Sequence, residues 1–341
     1  MQNPILVEIT RGDLVESVHR GAIAIADSSG RIVFSLGDIE TPVYPRSSLK
    51  MVQALPLVES GAADAFGLST EELAIACASH SGEPMHTTRV AAWLERIGCT
   101  VDDLACGAHP VRYEPAWEAM VKRGEKPTRL HNNCSGKHTG FLTVARHWDI
   151  ATKGYEHHHH PVQQAVETAL KELAGVDELP FGIDGCAAPN FALPLAAFAR
   201  ALAKYADPSA LAAPRAEAMR RLVRAMIAHP DLVSGTGRSD VILMRAAKNR
   251  TATKTGAEAY YAAIIPEAGL GVTLKIDDGT GRASETAIAA ILDKLGLIGD
   301  EPEARQLIRA PVRNTRGAVV GERRPAPALL TAEIESLPAW G

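Results

Sequence analysis

Residues 21–36 read GAIAIADSSGRIVFSL, and this stretch decides the architecture that the sequence predicts. Apolar residues alternate with polar ones through residues 15–37, on both sides of a turn at 27–30 that contains Asp, Ser and Gly. The pattern predicts a β-hairpin. A second pair of strands is predicted near the other end of the chain, at residues 258–265 and 271–276, with a short connection between them.

The chain between these two hairpins has its apolar residues at helical spacing. Ser69 and Glu72 form the sequence signature of a capping box, Gly61 suits a helix end, and Pro214 suits the first position of a helix. The predicted helices cover residues 49–60, 69–78, 87–97, 114–123, 135–148, 162–173, 193–205 and 214–228, with a closing helix at 284–295. From residue 309 the chain is rich in Pro, Arg and Ala, and we expect it to be partly loose.

The order of elements is strands, a long helical middle, strands and a helix, which indicates an α+β fold rather than alternating βαβ units. If the two hairpins pair, both chain ends contribute to one antiparallel sheet, and the middle forms an inserted helical lobe. We therefore predict a sheet domain from residues 1–46 and 230–341 and a mostly helical lobe from residues 47–229. An active-site cleft is expected at their junction, since ligand sites commonly lie at such places.

Composition excludes several classes of protein. Of the 341 residues, 46% are hydrophobic and 22% are charged, as in globular proteins and unlike disordered ones. The net charge of −4 leaves no basic excess, so we expect no nucleic-acid partner. We find no apolar run of the roughly 18–20 residues that span a membrane and no secretory signal, and we expect a cytoplasmic protein without a membrane partner. The five cysteines are an odd, sparse set, which predicts free thiols that can hold a metal rather than a disulfide framework.

The sharpest local signal is PRSSLK at residues 45–50, at the start of a predicted helix. Ser47 and Lys50 are three residues apart, which puts both side chains on one helix face. A serine needs a base to become a nucleophile, and burial or a neighbouring cation lowers the pKa of a lysine enough for it to accept a proton. The helix N-terminus adds N–H groups suited to an oxyanion. The alternative for this motif alone is an N-cap serine and a surface lysine.

Two further segments accompany this motif. Residues 78–83, ASHSGE, form a polar segment at a predicted helix end, and Lys254 begins KTG before a predicted strand. The same order of S-x-x-K, a serine-containing turn and K-T-G occurs in serine β-lactamases and penicillin-binding proteins. Ser79 and Lys254 then form a second serine–lysine pair that relays protons or orients the substrate. The S-x-N of those enzymes is replaced by SHS at residues 79–81, so a cell-wall substrate is not expected.

Two cysteine-containing segments form a second cluster, LHNNCSGKH at residues 130–138 and GIDGCAAP at residues 182–189. Cys134, Lys137 and His138 have the i, i+3, i+4 spacing of one helix face, and Asp184 precedes Cys186 by two residues. Two thiolates that the fold brings together suit a cation such as zinc. The alternative is a pair of buried thiols without a metal, because the sequence contains no CxxC pair here.

The segment GTGRSD at residues 235–240 is a third polar island. One reading is that Arg238 binds a carboxylate with both arms of its guanidinium. The other is a loop that ends in a helix N-cap at Ser239 or Asp240. The run of histidines at residues 157–160 is predicted to be a surface loop, with adventitious metal binding as its alternative.

Taken together and in this order, these segments resemble the class 3 L-asparaginases, the Rhizobium-type asparaginase II family. The resemblance runs from about residue 5 to about residue 300 and is far more specific than any single motif. Its stretches are RSSLK at 46–50 with QALP at 53–56, CASHSGE at 77–83, HNNCSGKH at 131–138, DGC at 184–186, GTGR at 235–238 with Asp240, and KTGAE at 254–258. Ala259, where a glycine is expected, and the histidine run depart from the family pattern.

The resemblance implies an enzyme that hydrolyses L-asparagine to L-aspartate and ammonia, with a fold like that of serine β-lactamases and glutaminases. It also implies two catalytic pairs, Ser47 with Lys50 and Ser79 with Lys254. A zinc ion held by Cys134, Lys137 and Cys186 is implied near the α-amino and α-carboxylate groups of the substrate, together with a homodimer. We expect four further residues in the matching stretches to bind substrate: Arg46, His80, Asp184 and Arg238.

We hypothesise acyl transfer, in which a serine attacks the side-chain amide of asparagine and water then hydrolyses the ester. Ser47 is the preferred nucleophile, with Ser79 as the alternative. Two other functions stay open at this point. One is a glutaminase or another β-lactamase-like serine acyl hydrolase, and the other is a non-enzymatic zinc-binding or interaction protein.

Overall fold

The computed structural model describes residues 2–335. They form two compact units. The sheet unit comprises residues up to 48, residues 192–207 and residues from 242 onwards, whereas the helical unit comprises residues 49–191 and 208–241. Among the described residues, no helix is both long enough and apolar enough to cross a membrane.

The strands and helices occur in the following places along the chain. The strands are β1 (Ile5–Arg11), β2 (Leu14–Asp27), β3 (Ile32–Leu36), β4 (Phe181–Ile183), β5 (Pro189–Phe191), β6 (Ala252–Gly256), β7 (Tyr260–Ile265), β8 (Leu270–Ile276), β9 (Ala310–Arg313) and β10 (Val319–Pro325). The helices are α1 (Lys50–Gln53), α2 (Leu55–Glu59), α3 (Ala62–Ala65), α4 (Thr70–Ala76), α5 (Pro84–Arg96), α6 (Glu114–Lys122), α7 (Ser135–His147), α8 (Pro161–Ala174), α9 (Leu195–Ala206), α10 (Ala213–Ala228), α11 (Pro230–Val233), α12 (Ser239–Ala246), α13 (Gly281–Lys294), α14 (Pro302–Ile308) and α15 (Pro327–Thr331).

The sheet unit is built on one antiparallel sheet in the order β6-β7-β8-β2-β1-β10-β9, with β3 also paired to β2. Both predicted hairpins are present, as β2–β3 and β7–β8. The pairing of β2 with β8, in which Ile23 lies opposite Leu274, joins them. Both ends of the chain therefore contribute to one sheet, and the predicted α+β class is confirmed.

The central strand β2 alternates small and large residues, and not polar and apolar ones as we predicted. Ile23 and Ile25 are buried in the core that includes residues of α13. Ala24 lies on the opposite face, next to β8, where a Cβ on Gly271 would come within 2.3 Å of the Ala199 carbonyl oxygen in α9. The small residues let α9 lie directly on the sheet, so both faces are covered and β2 is buried throughout its second half.

The end of the chain is ordered into strands, and the prediction of a loose segment from residue 309 is wrong for the described residues. Strand β10 pairs with β1 and with β9. Glu8 lies opposite Arg324, and the two side chains form an ion pair at 3.2 Å. Charged cross-strand pairs of this kind stabilise β10, although its composition is not typical of a strand.

Lys254 lies within strand β6, and not before a strand as we predicted. Strand β6 is at the end of the sheet and pairs with β7 on one side. The turn between β6 and β7 holds Glu258 and Ala259 at φ 57° each. This left-handed conformation favours glycine, which explains why a glycine is expected at residue 259.

The helical unit contains the predicted helices α4, α5, α6, α7, α8 and α10, each within three residues of its predicted bounds. The capping box of Ser69 and Glu72 is formed at the start of α4. The helix predicted for residues 49–60 is divided into α1 and α2, with Pro56 in the first turn of α2. In α7, a Cβ on Gly136 would lie 2.3 Å from the Ile75 side chain, so glycine permits the close approach of α7 to α4.

Candidate active site

Lys50, the first residue of α1, is buried and faces three oxygen atoms. Its Nζ donates hydrogen bonds to Ser79 Oγ at 2.9 Å, to the Asn133 carbonyl at 3.2 Å and to the Ala78 carbonyl. Burial lowers the pKa of Lys50, because the charged form loses its hydration. The helical unit thus contains a serine hydroxyl that is hydrogen-bonded to a lysine of lowered pKa.

Ser79 occupies a buried segment that begins directly after α4 and continues to Glu83. Its N–H donates to the Val233 carbonyl at 2.8 Å, which fixes the backbone of the segment. Since α4 ends at Ala76, Ser79 lies in an irregular stretch and not on a helix. A buried serine hydroxyl that is hydrogen-bonded to a lysine of lowered pKa is an arrangement suited to proton transfer.

His80 is buried, and both of its ring nitrogens are engaged within the protein. Nδ1 accepts from the Gly82 N–H at 3.2 Å, so the proton of the neutral ring lies on Nε2, which is 2.9 Å from Ser135 Oγ. Burial lowers the pKa of His80 well below its usual value. The ring also stacks on that of His86, with 4.8 Å between centroids.

The predicted metal-binding residues Cys134, Lys137 and Cys186 come together in the helical unit. Lys137 Nζ donates to Cys186 Sγ at 3.1 Å, and the Cys134 thiol donates to Asn133 Oδ1 at 3.2 Å. The neighbouring Cys134 and the charge of Lys137 lower the pKa of Cys186. Burial opposes the charge of Lys137, but the nearby thiolates raise its pKa overall. Two sulfur donors and one amine therefore converge, although the described residues contain no cluster of three His, Cys, Asp or Glu side chains suited to a metal.

Asp184 and Cys186 lie in the turn of the short hairpin β4–β5. The Ala187 N–H donates to the Asp184 carbonyl at 2.9 Å, and Ala187 has a φ of 73°. Asp184 is half-buried, and its negative charge contributes to the raised pKa of Lys137. The tight turn thus carries a thiol and a carboxylate to the same place.

Arg238 lies in the loop before α12, and its Nε is buried without an acceptor among residues 2–335. Sequence reasoning missed a second arginine, Arg112, whose pKa is lowered by burial and then by the charge of Arg238. Arg112 stands outside every motif that we identified. Only the three-dimensional fold ties both arginines to one segment, because the Arg112 N–H donates to the Ser81 carbonyl and Thr236, in the loop of Arg238, donates to Glu83.

The sheet unit holds the other predicted site residues, Arg46, Ser47 and Lys254. Arg46 and Ser47 are half-buried in a 3-10 turn, Arg46–Leu49, in which Arg46 has a φ of 53°. Ser48 Oγ donates to the Lys254 carbonyl at 2.9 Å, which holds this turn against strand β6. Lys254 is buried, and its Nζ donates to the Thr255 carbonyl at 2.8 Å. The pairs Ser47–Lys50 and Ser79–Lys254 each combine residues of both units and stay predictions.

Comparison with known proteins identifies the family. The family model of L-asparaginase II matches residues 7–325, nearly the whole chain. The chain belongs to the L-asparaginase II family. The resemblance inferred from its motifs is therefore confirmed, and membership implies an L-asparaginase, a hydrolase that acts on an amide.

No curated protein matches the sequence. Among solved structures, the chain is similar to a β-lactamase from Mycobacterium bovis, with 14% identity over 80% of this chain and 94% of the other, at a TM-score of 0.43. It is also similar to Mglu in its native form, with 14% identity over 88% of this chain and 70% of the other, at a TM-score of 0.47. A β-lactamase from Burkholderia ambifaria matches with 15% identity over 80% of this chain and 93% of the other, at a TM-score of 0.36.

Proposed function

We propose that the protein releases ammonia from L-asparagine by transferring the β-aspartyl group to a serine, and that Lys50 is the base. One observation carries the proposal. The Nζ of a lysine that burial drives toward the neutral form lies 2.9 Å from a serine hydroxyl, with backbone carbonyls as its other partners. A neutral amine in this position has a lone pair for a hydroxyl proton.

In the first step, Lys50 takes a hydroxyl proton as the serine oxygen attacks the side-chain amide carbon. Backbone N–H groups that bind the developing oxyanion contribute on the order of 3 kcal/mol per donor. The carbon–nitrogen bond then breaks, and the protonated lysine supplies the proton with which ammonia leaves. Water hydrolyses the ester by the same route in reverse, which regenerates the serine and gives L-aspartate.

We assign the attack to Ser47, three residues before Lys50 in the chain, and proton relay to Ser79 and Lys254. The hydrogen bond from Lys50 to Ser79 supports the relay, because it gives the lysine proton a path toward a second hydroxyl. Ser79 as nucleophile is the alternative assignment. Trapping of the acyl-enzyme followed by peptide mass analysis distinguishes the two serines.

We assign a zinc ion to Cys134, Lys137 and Cys186. The donor set fits zinc, since two thiols and one amine converge in a buried place and thiolates are preferred zinc ligands. Lys137 must lose its proton to offer a lone pair, so metal binding releases protons here. When bound, the ion orients the α-amino and α-carboxylate groups of the substrate.

Among the proposed substrate-binding residues, Asp184 supplies a carboxylate for the α-ammonium group, and Arg238 supplies a guanidinium for the α-carboxylate. Arg46 is assigned to binding through its place beside Ser47. His80 differs from these, because both of its nitrogens are occupied and its side chain is buried. We therefore assign His80 to holding the segment that contains Ser79.

The decisive experiment measures ammonia release by the full-length protein from L-asparagine, L-glutamine and nitrocefin, with zinc supplied and with a chelator. We expect turnover of asparagine well above that of glutamine, no hydrolysis of nitrocefin, and weaker substrate binding with the chelator. Ser47→Ala should abolish turnover while its melting temperature stays close to that of the wild type. Absence of ammonia release from asparagine with zinc present contradicts the function, and normal activity of Ser47→Ala contradicts the choice of nucleophile.

A homodimer in the cytoplasm completes the proposal. The support for the homodimer is the family resemblance.

A further inference from the structure

We propose that Arg112 binds the α-carboxylate of the amino-acid substrate together with Arg238, and that Glu83 positions the loop that carries Arg238. The inference rests on the proposed function and extends it. It assigns a second cation to substrate recognition and explains how the first is held in place.

Glu83 ties the loop of Arg238 to the segment that begins at Ser79. Its Oε1 accepts from the Thr236 N–H at 2.9 Å, and its Oε2 accepts from Thr236 Oγ1 at 2.7 Å. Ser81 Oγ also donates to Glu83 Oε1, at 2.5 Å. Both oxygens of this buried carboxylate are therefore engaged.

The residue beside Thr236 makes this contact possible. Gly235 has a φ of 115°, and a Cβ at this position would lie 1.8 Å from Ser81 Oγ. Any other residue would therefore push the loop away from the segment that contains Ser81. The backbone around Arg238 is fixed by close packing as well as by the hydrogen bonds of Glu83, and such rigid support favours a well-defined binding geometry.

Arg112 is anchored to the same segment from another part of the chain. Its backbone N–H donates to the Ser81 carbonyl at 2.9 Å. Its side chain is partly exposed and hence accessible to a ligand. The loop of Arg238 is anchored two residues further along the same segment, through the hydrogen bonds of Thr236 to Glu83. Burial and the charge of Arg238 both lower the pKa of Arg112.

Neither arginine has a carboxylate partner in the part of the chain that the structure describes, residues 2–335. The Nε of Arg238 is buried and donates to nothing there. Two guanidinium groups without a carboxylate partner favour the binding of an anion. The unused N–H of Arg238 favours an anion that accepts several hydrogen bonds. A carboxylate meets this need, because its two oxygens accept from guanidinium groups in bidentate fashion.

The position of the pair favours the α-carboxylate of the substrate as that anion. Arg112 and Arg238 are both tied to residues 81–83, two to four positions after Ser79, whose hydroxyl bonds to Lys50. The charge of Cys134 also acts on Arg112. The backbones that carry the two arginines are thus anchored to the segment that begins at Ser79, and the substrate's backbone groups are expected near this segment.

The test compares Arg112→Gln and Arg238→Gln with the control Arg123→Gln. Arg123 is an exposed arginine whose ion pair is with Glu125 alone among the described residues. Charge-assisted hydrogen bonds of this kind correspond to about 10- to 100-fold in affinity. We expect Arg112→Gln to raise the KM for L-asparagine and the calorimetric Kd for L-aspartate by about that factor, with kcat within about threefold, and the control to be unchanged.

The role of the substrate's α-carboxylate is tested with L-asparagine α-amide, in which an uncharged amide replaces that carboxylate. The product measured is the α-amide of L-aspartate. Wild type and Arg112→Gln should have equal kcat/KM on this substrate. If the variant loses the same factor on both substrates, Arg112 does not bind the carboxylate. If wild-type protein binds L-aspartate but releases no ammonia from asparagine, the proposed function fails while the binding assignment is still decided by the Kd values.

Glu83 is tested by a double-mutant cycle. Glu83→Gln should raise KM several-fold and leave kcat nearly unchanged, and the double variant Glu83→Gln/Arg238→Gln should be no worse than Arg238→Gln. A merely structural role predicts losses that add. Additive losses in KM, in variants whose melting temperatures match, would overturn the positioning role.

Discussion

Two lysines of the helical unit are both almost fully buried, but their pKa values are shifted in opposite directions. Lys50 is 1% exposed and Lys137 is 3% exposed. The pKa of Lys50 is lowered, because burial removes the hydration of its charged form. Its hydrogen-bond partners are two carbonyl oxygens and one hydroxyl. The pKa of Lys137 is raised, because the thiolate of Cys186 lies against it. Burial disfavours the charge of both residues, and the neighbouring anion decides which lysine keeps its proton.

This difference suits the two lysines to different tasks. A lysine among uncharged oxygens can accept a proton from a hydroxyl near neutral pH. A lysine against a thiolate stays charged until a metal ion takes the place of its proton. The same residue type therefore supplies a base in one place and a metal ligand in the other.

The largest effect that tests this comparison is expected at Lys50. Lys50→Met removes the amine while keeping the length of the side chain, and Lys50→Arg keeps a charge that does not deprotonate. Both should lower kcat by roughly 100- to 10,000-fold, the range of general-base catalysis. The measurement is ammonia release at saturating asparagine, with melting temperature as the check on folding.

Lys126→Met is the matched control, because Lys126 is an exposed lysine of the same unit. It should have wild-type kcat. Activity retained by Lys50→Arg would show that the reaction uses the charge of Lys50 and not its lone pair. Lys50 would then not act as a neutral base, and the proposed difference from Lys137 would be wrong.

An intermediate effect is expected at Cys186, the thiol that keeps Lys137 charged. Cys186→Ser should lower the zinc content of the purified protein and raise KM by about 10- to 100-fold, with a smaller decrease in kcat. Metal content by mass spectrometry and steady-state kinetics are the measurements. Cys99→Ser is the control, since Cys99 is a buried thiol whose charge neighbours are Asp103 and Arg146. A collapse of kcat at unchanged KM would contradict a role in positioning substrate.

The sequence predicted residue types better than it predicted contacts. Ser47, Lys50, Cys134 and Cys186 follow from short motifs whose spacing limits their chemistry. Contacts such as that of Lys50 with Ser79 join residues 29 positions apart, and no local pattern encodes them. Arg112 was missed for the same reason, since its meaning depends on a second arginine far along the chain.

Local patterns failed where the packing of the whole sheet decides the structure. Strands β9 and β10 were missed because their composition suggests a loop, and their cross-strand ion pairs become visible only with the register. The alternation in β2 predicted a strand correctly but not the burial of both faces. Covering by α9 depends on Gly271, which is remote in sequence from β2.

The smallest effect is expected at His80, a third buried base. Burial is the largest cause of the shift in its pKa, so His80 tests the effect of burial that the comparison of Lys50 with Lys137 relies on. The pKa of His80 is lowered, so the unfolded protein binds this proton and the folded protein does not. Stability from this group is fully present above the unfolded pKa of about 6.5 and is lost as pH falls toward the folded pKa. The loss is at most about 1.4 kcal/mol per pH unit. The groups whose charges act on His80 are all basic: His86, Lys50, His131 and Arg112.

His80→Gln keeps an acceptor for the Gly82 N–H and a donor for Ser135 Oγ without a titrating group. Between pH 6.5 and 4.5 the urea midpoint of the wild type should fall more steeply than that of the variant, even if the variant is less stable at pH 7. Parallel slopes would mean that His80 binds as many protons in the folded protein as in the unfolded one. Burial would then not be enough to keep a basic side chain of this unit neutral. The reason given for a neutral Lys50 would no longer hold.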